Sequence, residues 1–261
     1  MSVNTVDSED TSYLESVIGV NEETIVVGPS ADLLGKILAT AFSTSQGSIT
    51  VYAKKSVLED VINQFYMASK VSGLVDSGEL SVFISNSDTS TLLINETTAY
   101  VLASVAGEEV ISPIVDDEAE SDVLSHVDEI IGRATEYAPS ARPPGALSES
   151  FGNYITPEAG DDFKIAFDTV FDNGLEVTGV TLVLVVGAYH GGQQYTISKW
   201  CAENDVVSPA TVSRRKKELE QQGVITVEKE MQGLGRPRHR LVLDGDLQNC
   251  DSIVTVLQQL A

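Results

Sequence analysis

The stretch that decides the fold runs Ser208-Pro209-Ala210-Thr211-Val212-Ser213-Arg214-Arg215-Lys216-Lys217-Glu218-Leu219-Glu220-Gln221-Gln222-Gly223. Ser208 carries a side-chain oxygen that can accept from a free N–H at a helix start. Pro209 has the fixed φ suited to a first helical position, and Gly223 has the conformational freedom of a stop. A helix is therefore expected over Ser208 to Gln222. At about 100° per residue, Val212 and Leu219 fall within about 20° of each other and define a buried side, with Arg214, Lys217 and Gln221 nearly opposite. One face packs and the other presents cations. Lys216 sits where an apolar residue would be usual, and its stem can lie along the core edge.

Upstream, Tyr195 to Asn204 reads as a helix. So does Thr178 to Tyr189, despite its β-branched run, because Gly187, Gly191 and Gly192 close it. Downstream, Val224 to Met231 alternates as a strand, Gln232 to Pro237 is a Gly-rich loop, and Arg238 to Leu243 returns as an antiparallel partner. Three helices followed by a two-stranded ribbon make a winged helix-turn-helix. Asp161 to Phe171 is a further expected helix. A terminal amphipathic helix carries Leu247, Ile253, Val254, Leu257 and Leu260, an apolar stripe that suggests a homodimer.

Charge follows the same division. The chain has 261 residues and a net charge of -23. From Ala188 to Leu243, however, nine Lys and Arg face six Asp and Glu, a net of +3, so the remainder carries -26. The wing, Gly233-Leu234-Gly235-Arg236-Pro237-Arg238-His239-Arg240, is cationic and permissive in conformation. The expected contacts to double-stranded DNA are Ser208, Thr211, Ser213, Arg214, Arg215 and Lys217 on the helix, with Arg236, Arg238 and Arg240 on the wing. A protein-interaction module on the same scaffold is the alternative. The acidity elsewhere fits a medium of high ionic strength and argues against a general nucleic-acid coat or a membrane-surface protein.

The amino-terminal half reads as an α/β layer. Thr24 to Val27, Ser48 to Ala53 and Leu80 to Ser85 are strands, separated by helices from Ala31 to Thr44 and from Ser56 to about Val75. Such alternation implies parallel pairing with right-handed crossovers. A β-meander over Thr91 to Ile94, Ala99 to Ser104 and Glu109 to Ser112 extends the sheet, and a helix follows from Val123 to Tyr137. Pro139 to Gly160, with four of the eight prolines, has the composition of a linker. The expected organisation is thus an α/β domain over 1–138, a Pro/Gly linker over 139–160 and a winged helix-turn-helix domain over 161–261.

Ligands of parallel α/β layers bind where strand carboxyl ends meet helix amino ends. Here those ends hold Ser30, Lys54, Lys55, Ser56, Asn86 and Ser87, a set suited to a small anionic metabolite such as a phosphorylated sugar. A purely dimerising role for this half is equally open. No Walker or Gly-x-Gly-x-x-Gly loop occurs, His126, His190 and His239 lie far apart, and Cys201 and Cys250 lack metal-ligand spacing. An enzyme, a metal site and a cofactor are therefore not expected. Trp200 and Cys201 are expected in the core and His126 at the surface or core edge. No apolar run approaches the roughly 20 residues of a membrane span, so a cytoplasmic location is expected.

The order of an acidic α/β domain, a Pro/Gly stretch and a winged helix bearing Ser208 to Arg215, Gly223 and Gly233 to Arg240 resembles the haloarchaeal transcription regulators of the TbsP type. The resemblance covers most of the chain. It implies a DNA-binding regulator linked to central sugar metabolism, with an effector domain ahead of the winged helix.

Overall fold

Three apolar runs, Glu23–Val27 (β1), Ser48–Ala53 (β2) and Leu80–Ile84 (β3), pair in parallel. Val26, Val51 and Val82 stand in register on one face of the sheet, and Val27, Tyr52 and Phe83 on the other. Strands apolar on both faces are what a sheet covered on both sides requires. The structure, a computed structural model, describes residues 14, 18, 23–43, 47–105, 108–230 and 238–260.

Ala31–Ser43 (α1) links β1 to β2, and Ser30 caps it by accepting from the Leu33 N–H at 3.2 Å. The single helix expected between β2 and β3 is instead two, Lys55–Ile62 (α2) and Phe65–Ser77 (α3). Gln64 is extended at ψ 137°, and this break re-phases the apolar face, so that Leu58 and Ile62 of α2 and Ala68 and Val71 of α3 are all buried. Ser56, at which the helix was expected to open, lies within the first turn of α2. Lys54 occupies the N-cap position without a side-chain capping bond.

The meander is present as Thr91–Ile94 (β4), Ala99–Val105 (β5) and Glu108–Pro113 (β6), each antiparallel to its neighbour. β4 also pairs antiparallel with β1, and the short Thr135–Glu136 (β7) closes the far edge on β3. The sheet order is β6-β5-β4-β1-β2-β3-β7. Asp117–Ile131 (α4) starts and stops six residues earlier than its apolar pattern suggests. Asp116 caps it by accepting from the Ala119 N–H at 2.9 Å, and Gly132 ends it. Its Val127 and Ile130 pack with Val27, Tyr52, Leu92, Ile94 and Ala99 on one face of the sheet. Right-handed crossovers put α1 to α3 on the other.

Pro139 to Gly160 was expected to be a linker, and here the structure differs. The chain divides into units Met1–Pro139 and Ser140–Ala261, and the Pro/Gly stretch after Pro139 belongs to the second. Pro144–Tyr154 (α5) and Pro157–Asp172 (α6) are helices that begin on their prolines. A proline at the first helical position has no N–H to lose and is already set to helical φ. Thr156 adds a cap, accepting from the Ala159 N–H at 3.2 Å. The glycines let α5 and α6 cross closely, with a Cβ built on Gly160 falling 2.8 Å from the Ser148 carbonyl and 3.0 Å from Gly152 Cα. Leu147 and Phe151 of α5 are buried. The Phe151 ring lies 5.2 Å from Phe163 and 4.9 Å from Trp200, centroid to centroid.

The remaining elements are Gly179–Tyr189 (α7), Gln194–Glu203 (α8), Pro209–Gln221 (α9), Ile225–Glu230 (β8), Arg238–Leu243 (β9), a 3-10 turn Gly245–Asn249, and Ile253–Leu260 (α10). From Gly179 to Ala188, α7 is buried, which explains how a β-branched run is held helical: packing overrides propensity. Trp200 and Cys201 lie in this core as expected, and His126 is exposed on α4. The terminal helix is shorter than its stripe and is accounted for within the chain, since α10 packs on α6 with Ile253, Val256 and Leu257 buried. The fold is an α/β unit of parallel strands extended by a meander, plus a winged helix-turn-helix unit. Among the described residues no helix is long and apolar enough to cross a membrane.

Candidate nucleic-acid interface

The recognition helix starts as its residues dictate. The Ser208 hydroxyl accepts from the Thr211 N–H at 3.3 Å and lies 3.0 Å from the Thr211 hydroxyl, with Pro209 at the first helical position. Val212 and Leu219 are buried, while Ser213, Arg214, Lys217 and Gln221 are exposed. The angular division read from sequence is therefore the one the helix adopts.

The four consecutive cations do not share one environment. Arg215 turns inward. Its Nε donates to Thr181 Oγ1 of α7 at 2.8 Å and its Nη1 to Glu218 Oε2 at 2.9 Å, leaving the side chain 29% exposed. Lys216 lies along the core edge, 15% exposed, and pairs with Glu220 at 3.0 Å. Arg214 and Lys217 make no ion pair with a described residue. With Nε and Nη1 bonded inside its own domain, Arg215 braces the helix and is not the wholly free contact expected from its charge. Thr181, the acceptor that decides this, lies 34 residues away in an apolar run, and no local pattern marks it.

On the wing, Arg236 lies outside the described residues, and Arg238 stands in β9 across from Glu230. Arg240 stands across from Glu228, and its Nε donates to the Gly191 carbonyl at 3.1 Å. Gly191, at φ 63°, turns the chain between α7 and α8, and a side chain there would collide with the Arg240 guanidinium. Backbone bonds continue the attachment, with the Leu241 N–H donating to the Gly192 carbonyl at 2.9 Å and a bridge joining Gln193 to Arg240. Arg240 thus ties the ribbon to the helices.

A polar network missed in the sequence holds α5 to α8. Trp200 Nε1 donates to Ser150 Oγ at 3.0 Å, and Ser150 Oγ donates to Asn204 Oδ1 at 3.3 Å. Arg142 Nη1 donates to the same oxygen at 2.6 Å, and Asn204 Nδ2 donates to the Trp200 carbonyl at 2.9 Å. Asn204 is buried, so each of these bonds satisfies a group that water cannot reach.

In the first unit, Ser30, Lys54, Lys55, Ser56, Asn86 and Ser87 do follow the carboxyl ends of three adjacent strands. The two lysines are nevertheless engaged. Lys54 Nζ binds the Asp88 carboxylate, which lowers the pKa of Asp88, and Lys55 pairs with Glu59 at 3.5 Å. The Ser30 hydroxyl is committed to its helix cap, and the Ser87 N–H donates to Ser85 Oγ at 3.3 Å. The connection from β3 to β4 runs back over this edge. Thr89 comes close to Gly28, and Thr91 Oγ1 donates to the Gly28 carbonyl at 3.0 Å. Among the described residues no group of three or more His, Cys, Asp and Glu could hold a metal ion.

Three helices, a cationic second helix of the turn motif and a ribbon hydrogen-bonded to their connection define a winged helix-turn-helix DNA-binding protein. Residues 2–140 match the family model described as transcriptional regulator TbsP-like, N-terminal, and residues 143–260 match that described as transcriptional regulator TbsP-like, C-terminal HTH domain. The chain belongs to the TbsP-like transcriptional regulators. No curated protein matches it. Among solved structures it is similar to one titled "Structure of TrmBL2, an archaeal chromatin protein, shows a novel mode of DNA binding", at 14% identity and a TM-score of 0.35. That match covers 49% of this chain and 51% of the other, so the chain spans about half the length of that protein.

Proposed function

We propose that the protein binds specific double-stranded DNA sites as a transcription regulator, inserting α9 into the major groove. The observation that carries this reading is the division of α9. Val212 and Leu219 are buried and Arg215 is bonded to Thr181, while Ser213, Arg214 and Lys217 stand exposed together beside the helix start at Ser208 and Thr211. The amino end of a recognition helix is the part that meets base edges. The test is selection of duplexes from a random library on the wild-type protein in concentrated KCl, followed by footprinting. A protected sequence that weakens with Arg214→Ala supports the reading. Failure to enrich any sequence supports a protein-interaction module instead.

A homodimer belongs to the same proposal, because two-fold sites are matched by two-fold proteins. Since α10 is covered by α6 of its own chain, this part no longer rests on the terminal stripe. Sedimentation with and without the selected duplex tests it. The first unit we assign to sensing a small anionic metabolite, of the phosphorylated-sugar kind that a link to sugar metabolism would supply. Support comes from the convergence of Ser30, Lys54, Lys55, Ser56, Asn86 and Ser87 at one sheet edge. An anion there has to displace Asp88 from Lys54. A thermal-shift screen of phosphorylated metabolites against wild type and Lys54→Ala/Lys55→Ala tests this, and no shift with any compound favours a dimerising unit.

A further inference from the structure

Of the wing arginines it is Arg240 that the structure describes with its side chain, and strand alternation separates it from the face that packs on the helices. Side chains of an antiparallel ribbon alternate between its two faces, and residues directly opposite share one. β8 and β9 pair Ile225 with Leu243, Val227 with Leu241 and Lys229 with His239 on one face. The other face holds Thr226 with Val242 and Glu228 with Arg240. Ile225, Leu241 and Leu243 are buried, and β8 packs against α9 while β9 packs against α7 and α8, so the first face is the one turned toward the recognition helix. About 7 Å beyond Val227 along that face the apolar residues give way to Lys229 and His239, both exposed. The residue across from Lys229 is a histidine and not a carboxylate. On the opposite face Arg240 has Glu228 across from it. There Arg240 and Glu228 line a cavity of about 330 Å³ with Tyr189, Gly191, Val242 and Gln248.

Resting on the DNA-binding reading above, we propose that Lys229 and His239 are the pair through which the body of the wing contacts the DNA backbone, and that Arg240 is a positioning residue that holds the ribbon at the Gly191 carbonyl. The pair is the outward continuation of the surface that seats α9. A duplex lying on Arg214 and Lys217 would therefore meet Lys229 and His239 before it met Arg240.

The experiment measures the affinity of full-length protein for the strongest duplex recovered by selection, as a function of KCl concentration. Each phosphate neutralised contributes about 0.9 to the slope of log K against log salt. Lys229→Gln is expected to reduce that slope by about 1, and His239→Arg to raise it by about 1. Arg240→Gln is expected to lower affinity with the slope kept. Circular dichroism checks that each variant is folded. An unchanged slope in both Lys229→Gln and His239→Arg, or a slope reduced by Arg240→Gln alone, overturns the assignment while leaving DNA binding by α9 intact. Loss of binding in Arg214→Ala with no effect of any wing variant does the same. Wild-type protein that enriches no duplex overturns the DNA reading and this inference together.

Discussion

Arg215 and Thr181 are joined by a hydrogen bond of 2.8 Å from guanidinium Nε to hydroxyl Oγ1, fastening the recognition helix to α7. Its neighbour Arg214 points away into solvent, although the two residues are identical in chemistry and adjacent in sequence. Their substitutions are therefore expected to differ in kind. Arg215→Ala removes a charged donor from a buried acceptor and should lower stability by about 1 to 3 kcal/mol. Arg214→Ala should change stability by no more than about 0.5 kcal/mol and weaken operator binding by about 1 to 3 kcal/mol. Denaturant unfolding and fluorescence anisotropy of the two variants separate these effects. Equal stability losses would contradict the division.

Pro144 and Pro157 start helices whose side chains complete the second core. A fragment of residues 140–261 should unfold cooperatively. One of residues 161–261 lacks Leu147 and Phe151, both buried, and should lose the near-ultraviolet signal of Trp200. Circular dichroism of the two fragments makes the comparison, and native-like tertiary signal in the shorter one would restore the linker.

Asn204 accepts from both Arg142 and Ser150 while buried. Asn204→Ala leaves Arg142 Nη1 and Ser150 Oγ without their shared acceptor and should cost about 1 to 3 kcal/mol, visible as a lower midpoint in urea together with altered emission of Trp200, which donates to Ser150. An unchanged midpoint would mean that the network adds nothing to stability.

Two glycines test the packing of the helices in opposite directions. Gly160→Ala places a methyl group 2.8 Å from the Ser148 carbonyl and should destabilise by about 1 to 3 kcal/mol. Gly35, inside α1, has open space around its missing Cβ, so Gly35→Ala should stabilise by up to about 1 kcal/mol. Calorimetry of the two variants reads both signs.

Burial raises the Cys201 thiol pKa to about 12, so at pH 8 it is protonated as well as enclosed. Cys250 is partly exposed. A thiol-specific chromogenic reagent should titrate no more than one cysteine in the folded protein and two in guanidinium, since the thiolate is the reacting form. Labelling of Cys201 in the native state, located by peptide mapping, would contradict the buried assignment.

What the sequence by itself determined are the features written in local chemistry. Ser208, Pro209 and Gly223 bound α9 because cap, ring and stop act within one turn of chain, and the period of Val212 and Leu219 selects its buried face. The parallel strands and the meander were likewise legible, because runs of two-sided apolar residues have few places to go. Only the tertiary structure decided which polar groups are free. Arg215 meets Thr181 across 34 residues, Lys54 meets Asp88 across another 34, and Arg142 reaches Asn204 across 62. The Pro/Gly stretch was misread for a related reason. A proline that begins a helix and one that breaks a chain are the same residue, and what separates them is whether a core, here Phe151 against Phe163 and Trp200, is there to receive the helix that follows. Local preferences act over a few residues and can be read from them. The partner of a charge or of an aromatic ring is set by where the folded chain returns, and that exists only once the whole core has closed.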